Sequence, residues 1–303
     1  MQGIVQKTEL VAQFNSFVDY LREEKGSSQN TLMAYVRDLS KFLDYAESAD
    51  ICDAAEVDVE AVEDFKAHLT TLGLSPASVS RCLSALRSFF SYLVNEGVLE
   101  INPAKSVHNA KLEKHDLSVL THKEIELLLS QPSSDDIKGI RDKAMLEVLY
   151  ATGIKVSELV SLDIDDVNTQ VGFIRVGKNS QERVIPLYAL VSKYLQTYID
   201  KSRRLLLNDM EQPALFVNIF GNRMTRQGFW KLLKGYAEKA EIKKPITPHT
   251  IRHSFAAHLL ENGADIHDIC EILGHSDLAS TQRYAAFLKD KLKTSFIKYH
   301  PHA

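Results

Sequence analysis

The sequence is short of cysteine, of long apolar runs and of net positive charge, and each shortage removes a class of protein. Its three cysteines, Cys52, Cys82 and Cys270, are scattered, odd in number and form no CxxC pair. That pattern argues against a disulfide framework or a structural zinc, and it fits a reducing, cytoplasmic location. No apolar stretch approaches the roughly 18 residues that a membrane span needs, so no membrane partner is expected. The opening residues, Met-Gln-Gly-Ile-Val-Gln-Lys-Thr-Glu, have no basic start followed by an apolar core, so no signal peptide is expected. The HExxH motif of zinc hydrolases is absent. A net charge of −4, with the acidic excess in the N-terminal part, argues against a polybasic protein that coats nucleic acid.

What is there describes a globular chain of 303 residues, 45% hydrophobic and 25% charged, long enough for one large or two ordinary domains. The charge is divided unevenly. Up to Ala110 there are 9 basic and 16 acidic residues, a net of −7, and from Lys111 onward 27 and 24, a net of +3. Phosphate binding depends on a local basic face, so the whole-chain sum neither supports nor excludes DNA.

The first hundred residues have helical periodicity with short breaks. Leu10, Phe14, Phe17, Val18 and Leu21 recur at helical spacing, as do Leu32, Tyr35, Val36, Leu39, Phe42 and Leu43. A third helix is predicted over about 58–71. A fourth starts at Ser75 as N-cap with Pro76 in the first turn and stops at Asn95-Glu-Gly97. Four short helices predict a small bundle over 1–107. The polar stretch 108–118 reads as a linker. A second domain, 119–303, opens at Thr121, whose partner Glu124 completes a capping box. Within it, 171–176 and 183–187 are β-rich and flank the polar residues Gly177-Lys-Asn-Ser-Gln, which predicts a hairpin. The remainder reads as helix. The predicted fold class is mainly α with a small β component: a helical bundle followed by a mixed α/β domain.

The last third carries side chains suited to phosphate chemistry: His249-Thr-Ile-Arg252, Leu-Gly-His275 and Ser-Thr-Gln-Arg-Tyr284. His249 and Arg252 are three residues apart and share a helix face, where a guanidinium fork matches two phosphate oxygens. A tyrosine hydroxyl, with a pKa near 10, is a poor nucleophile until cations help remove its proton. Upstream, Lys178 sits in the hairpin tip, Lys155 opens a helix, and Glu158 follows three residues later. Each has a plain reading: a packed tyrosine, polar residues solvating a helix start, a capping histidine, a solubilising tip lysine, a surface ion pair. His249, His253 and His258 also admit a metal reading, which the missing HExxH glutamate weakens.

These motifs resemble those of the tyrosine recombinases, the phage-integrase family, and the chain is similar to a Xer-type bacterial member. Ser-Gln-Asn-Thr-Leu-Met-Ala-Tyr-Val-Arg-Asp-Leu (28–39) and the Asn102-Pro103 exit resemble the family's core-binding domain, so the likeness covers nearly the whole chain. It implies a core-binding bundle and a catalytic domain that clamp double-stranded DNA at an inverted-repeat recombination site. Tyr284 would be the nucleophile. Arg252, His249, Lys155 and His275 would hold the phosphate, Lys178 would protonate the leaving 5′ oxygen, and Glu158 would support the site from behind. Neither metal nor any other cofactor is implied. Strand exchange would proceed through a 3′-phosphotyrosyl bond and a Holliday junction, as in chromosome dimer resolution. The assembly would be a homotetramer, or a heterotetramer with a paired recombinase, linked by a C-terminal exchange helix at about 288–303. At 155 the family carries arginine and this chain has lysine, which keeps the charge and loses the fork. Three accounts fit: an active enzyme with a compensating lysine, an engineered trap, or a cleavage-impaired DNA-binding homologue. An integrase or transposase of a mobile element is the alternative within the fold.

Overall fold

In the computed structural model the described residues are 9–23, 29–108, 118–177, 182–207, 211–274 and Tyr284. The chain divides into two units, Met1–His115 and Asp116–Ala303. Lys178, predicted at the hairpin tip, His275 and the predicted exchange helix at about 288–303 lie outside the described residues.

The first unit holds α1 (Glu9–Glu23), α2 (Gln29–Ser48), α3 (Val59–Thr71) and α4 (Pro76–Asn95). Ser75 caps α4 as predicted, accepting from the Ser78 amide at 3.3 Å, with Pro76 in the first turn where no amide is needed. At the other end Gly97 takes a φ of 74°, the left-handed stop a β-carbon would disfavour. The apolar stripes meet in one core. Phe17 packs edge-on against Phe89 at 5.6 Å, and Phe42 against Phe65 at 5.2 Å. A buried Asp38 on α2 accepts a bidentate pair from Arg81 on α4, at 2.6 and 2.9 Å, which fixes the register of the two helices.

The second unit is built round α6 (Ile137–Thr152). Its Ala144, Met145, Leu146, Val148 and Leu149 are all buried, and so are the charged Arg141, Asp142 and Glu147, which are held in ion pairs, so the helix is covered on every side and sits inside. Around it lie α5 (His122–Leu129), α7 (Val156–Ser161), α8 (Ala189–Thr197), α9 (Arg204–Leu207), α10 (Arg226–Lys239), α11 (Pro248–Glu261) and α12 (Ile266–Leu273). The capping box at Thr121 and Glu124 forms. The hairpin forms as β2 (Phe173–Val176) and β3 (Arg183–Pro186), with Ile174 opposite Ile185. A two-residue strand, β1 (Val167–Asn168), adds to β2 and makes a three-stranded antiparallel sheet. The sequence did not signal β1, because two residues are too few for any alternation to register. A π-helical turn at Tyr198–Arg203 was also unforeseen. It buries Tyr198, whose hydroxyl donates to the Leu215 carbonyl at 2.9 Å.

Candidate active site

Three chain reversals bring the site together. Gly153 ends α6 in the left-handed conformation, with φ 60°, and a β-carbon there would lie 2.2 Å from the Phe255 ring. The chain then turns directly into Lys155, the N-cap of α7. Thr247 caps α11, with Pro248 in the first turn, and so fixes the direction of His249 and Arg252. Gly274 ends α12 with φ 63° and leads into His275.

Arg252 is 4% exposed. It donates from Nη1 to the Gly153 carbonyl at 2.6 Å and from Nη2 to the Leu273 carbonyl at 2.7 Å. Two chain reversals, after α6 and after α12, are thereby tied to one guanidinium. Burial lowers its pKa from the ordinary arginine value, with Glu158 and Tyr284 acting in the opposite direction and Arg183 adding to the fall. Two of the five N–H donors of the guanidinium are used on carbonyls, which leaves three for an anion.

Tyr284 is 2% exposed and packs with Phe255, Ala256, Ile269 and Leu273. Its charge would be felt by Arg252. The His253 ring stands 5.6 Å from the Tyr284 ring and 6.3 Å from that of His249. The His253 ring therefore lies near both His249 and the tyrosine.

Glu158 does not make the surface pair with the Lys155 side chain that spacing allows. Its Oε2 accepts the Lys155 backbone amide at 2.7 Å, and its two oxygens accept Arg183 Nη1 at 3.0 Å and Nη2 at 3.1 Å. Burial pushes the carboxyl upward, but the Arg183 hydrogen bonds, the Lys155 amide and both positive charges outweigh it and hold the pKa below the usual range. Arg183 also donates from Nε to the Ile272 carbonyl at 2.8 Å. A β-carbon on Gly274 would meet the Arg183 guanidinium at 2.8 Å. Arg183 is the residue that sequence reasoning missed. It ties β3, the start of α7 and the end of α12, and its partners lie 25 and 89 residues away, beyond any local motif.

A cavity of about 130 Å³ opens between these elements, lined by Ile154, Lys155, Val156, Ser157, Arg226, Pro248, His249 and Arg252. Four cationic or protonatable side chains and no carboxylate face it, which suits a phosphate. The larger hollows lie elsewhere. One of about 360 Å³ is lined by Arg141, Asp142, Tyr236 and their neighbours, where the buried Asp142 is paired with Arg141 and accepts from Tyr236 at 2.9 Å.

The metal reading of the histidines does not fit. His258 turns away from His249: its Nε2 donates to the Leu120 carbonyl at 2.9 Å, and its Nδ1 accepts from the Tyr150 hydroxyl at 2.9 Å. His122, His258 and Glu261 do bring ligand atoms within 4.8 Å of one another. However, the rings of His122 and His258 are stacked at 3.8 Å and 18°, so their in-plane lone pairs cannot converge on one ion.

The pattern of the phage integrase family matches residues 118–291, and that of the phage integrase N-terminal SAM-like domain matches 14–97. The tyrosine recombinase XerD of Staphylococcus epidermidis is 42% identical over 95% of this chain and 98% of its own length. That of Listeria innocua serovar 6a is also 42% identical, over 95% and 98%. Among solved structures, a XerA recombinase shares 28% identity over 97% of this chain and 99% of its own, with a TM-score of 0.54. A XerH recombinase bound to palindromic difH substrate shares the fold at a TM-score of 0.74 and 22% identity, over 96% and 89%. The buried arginine and tyrosine thus sit in a chain that resembles its relatives from end to end, and it belongs to the tyrosine recombinases of the phage integrase family.

Proposed function

We propose that this protein is a site-specific recombinase of the Xer type that resolves chromosome dimers by exchanging strands at a DNA site with inverted repeats. The observation that carries this reading is a buried, carbonyl-anchored Arg252 that lines a carboxylate-free cavity and lies within electrostatic reach of a buried Tyr284.

The chemistry follows from charge. Tyr284 attacks the scissile phosphorus, and its phenolic proton passes to a neutral histidine of the site. The phosphate gains negative charge in a five-coordinate transition state. Arg252, His249, Lys155 and His275 are the groups that stabilise it, and they contribute most when already oriented and dry. The P–O5′ bond breaks, Lys178 gives its proton to the departing oxygen, and a 3′-phosphotyrosyl bond remains. That bond retains the energy of the phosphodiester, so a 5′-hydroxyl from a partner strand can reseal the backbone without a nucleotide cofactor. Two such exchanges pass through a Holliday junction in a tetramer of this chain, or of this chain and a paired homologue. Glu158 acts at one remove, fixing the Lys155 amide and Arg183. Access to chromosomal DNA places the work in the cytoplasm, and no helix among the described residues is long and apolar enough to cross a membrane.

The test is covalent trapping on a nicked suicide duplex bearing a Xer-type site, in EDTA. A slow-migrating protein–DNA adduct is expected, and it should vanish in Tyr284→Phe. Adduct formed only by Lys155→Arg would identify the chain as a cleavage-impaired DNA-binding homologue. Tight binding with no adduct in any variant would sink the mechanism.

A further inference from the structure

Lys155 delivers one ammonium where two parallel donors suit a phosphate better, and a point charge cannot imitate a planar fork. The cavity contains a second guanidinium. Arg226, at the first position of α10, lines it together with Lys155, His249 and Arg252. Several cations of this unit are engaged: Arg183 with Glu158, Arg223 with Asp163, Lys143 with Glu147 and Lys244 with Glu124. Among the described residues the side chains of Lys155 and Arg226 make no hydrogen bond or ion pair, and both are exposed. Lys155 and Arg226 put two cations on one small cavity, and they repel each other unless an anion lies between them.

The placement of Arg226 is built in. Thr225 caps α10 by accepting from the Gly228 amide at 3.0 Å, which sets the path of the first turn. Immediately before it, Arg223 donates to the carbonyls of Val160 and Leu162, both at 3.1 Å, at the end of α7. The start of α10 is therefore tied to the helix that Lys155 opens.

We propose that Arg226 is a further phosphate-contacting residue of this site, supplying from α10 the guanidinium fork that position 155 lacks. This rests on the strand-exchange reading above. It implies that Arg226 and Lys155 act on the same phosphodiester oxygens, so that the demand on Arg226 depends on what occupies 155. A residue that merely held the DNA groove elsewhere would affect binding and be indifferent to position 155.

The experiment measures single-turnover adduct formation on the nicked suicide duplex at saturating protein, alongside the Kd for the intact site. The proteins are the natural chain, Arg226→Ala, Arg226→Lys, Lys155→Arg and the double variant Lys155→Arg/Arg226→Ala. Arg226→Ala is expected to lower the saturated rate by about 10²-fold, the scale of a lost transition-state donor, with an unchanged Tm because the side chain is exposed. Arg226→Lys should recover little, and free guanidinium ion should restore part of the Arg226→Ala rate. In the Lys155→Arg background the loss should shrink to a few-fold. Equal losses in the two backgrounds, or a raised Kd with an unchanged saturated rate, would overturn the proposal and leave Arg226 as a groove contact. Adduct from Lys155→Arg but none from the natural chain would overturn it too, because Arg226 would then not be making good the missing fork. Absence of adduct from every protein would remove the strand-exchange reading itself.

Discussion

Replacing Arg183 by alanine is the sharpest probe of how this site is held. The change removes two hydrogen bonds to Glu158, at 3.0 and 3.1 Å, one to the Ile272 carbonyl at 2.8 Å and a long one to the Leu273 carbonyl at 3.5 Å. Glu158 is left ionised with the Lys155 amide as its donor. Breaking a buried ion pair from one side costs about 3–5 kcal/mol. The side chains here are 13% and 18% exposed, so solvent relieves part of the penalty and the loss should fall near the lower end, about 3 kcal/mol. For a unit of this size that corresponds to a fall in Tm of roughly 6–12 °C. The pair should also couple in a double-mutant cycle with Glu158→Ala, by about 1–3 kcal/mol. The effect on the reaction is separate. Without Arg183, the start of α7 and the end of α12 lose their common tie, and a displacement of about 1 Å at Lys155 or beyond Gly274 costs on the order of 10²-fold in rate. Thermal unfolding gives the first quantity, and single-turnover adduct formation by the folded protein gives the second. Arg183→Lys keeps a charge but can bridge fewer of these acceptors, so it should recover more stability than rate. A lowered Tm with an unchanged rate would show that the network stabilises the fold without positioning the site. An unchanged Tm and no coupling would refute the pairing outright.

Other outcomes follow from the same geometry. Arg252→Lys cannot hold the Gly153 and Leu273 carbonyls and a phosphate together, so saturated adduct formation should drop by about 10²–10³ while gel-shift affinity changes only a few-fold. Gly153→Ala combines a left-handed backbone with a β-carbon 2.2 Å from Phe255, and urea unfolding should record a loss of about 2–5 kcal/mol. The pKa of Glu158 is held below the ordinary carboxylate value, so its contribution to stability is complete above that value and is lost as pH falls through the lower folded one. Acid titration of stability should therefore be steeper below about pH 4.3 in the natural chain than in Glu158→Gln. His258→Ala removes a donor from the Leu120 carbonyl and an acceptor from Tyr150, and should lower the unfolding free energy measured in urea by about 1–3 kcal/mol without altering the metal independence of the adduct.

What could be read from the sequence was local, and the reason is physical. A cap acts over three residues, so Ser75 with Pro76, Thr121 with Glu124, and the shared face of His249 and Arg252 are visible in the string itself. Apolar periodicity exposes helices longer than two turns, which is why the four helices of the first unit were legible. It is silent for a two-residue strand such as β1, and for the π turn after α8. The tie made by Arg183 was hidden because its partners are assembled by tertiary structure, and because an arginine in a strand looks like any other exposed-face residue of a hairpin. Arg226 was hidden for a related reason: nothing before the cavity is seen links the first turn of α10 to position 155.

The role of Arg252 shows why proximity to a phosphate is only half of what the fold must provide. A free guanidinium on a flexible stem would lose rotamer entropy each time it gripped an anion. Here two donors are already committed to backbone carbonyls at the ends of α6 and α12, so the fork is aimed before DNA arrives and binding need not order it. The same bonds make the geometry reciprocal. Whatever shifts the end of α12 moves Arg252, and whatever pulls Arg252 moves the end of α12. Lys155 has no such anchoring of its side chain. Its position is set only through its backbone, by Glu158, and so by Arg183. On the proposed reading a lysine at 155 is tolerable, because Arg252 would supply the rigid charge and Lys155 and Arg226 the adaptable ones. An arginine at 155 should therefore raise the rate most where Arg226 is absent, and least where it is present.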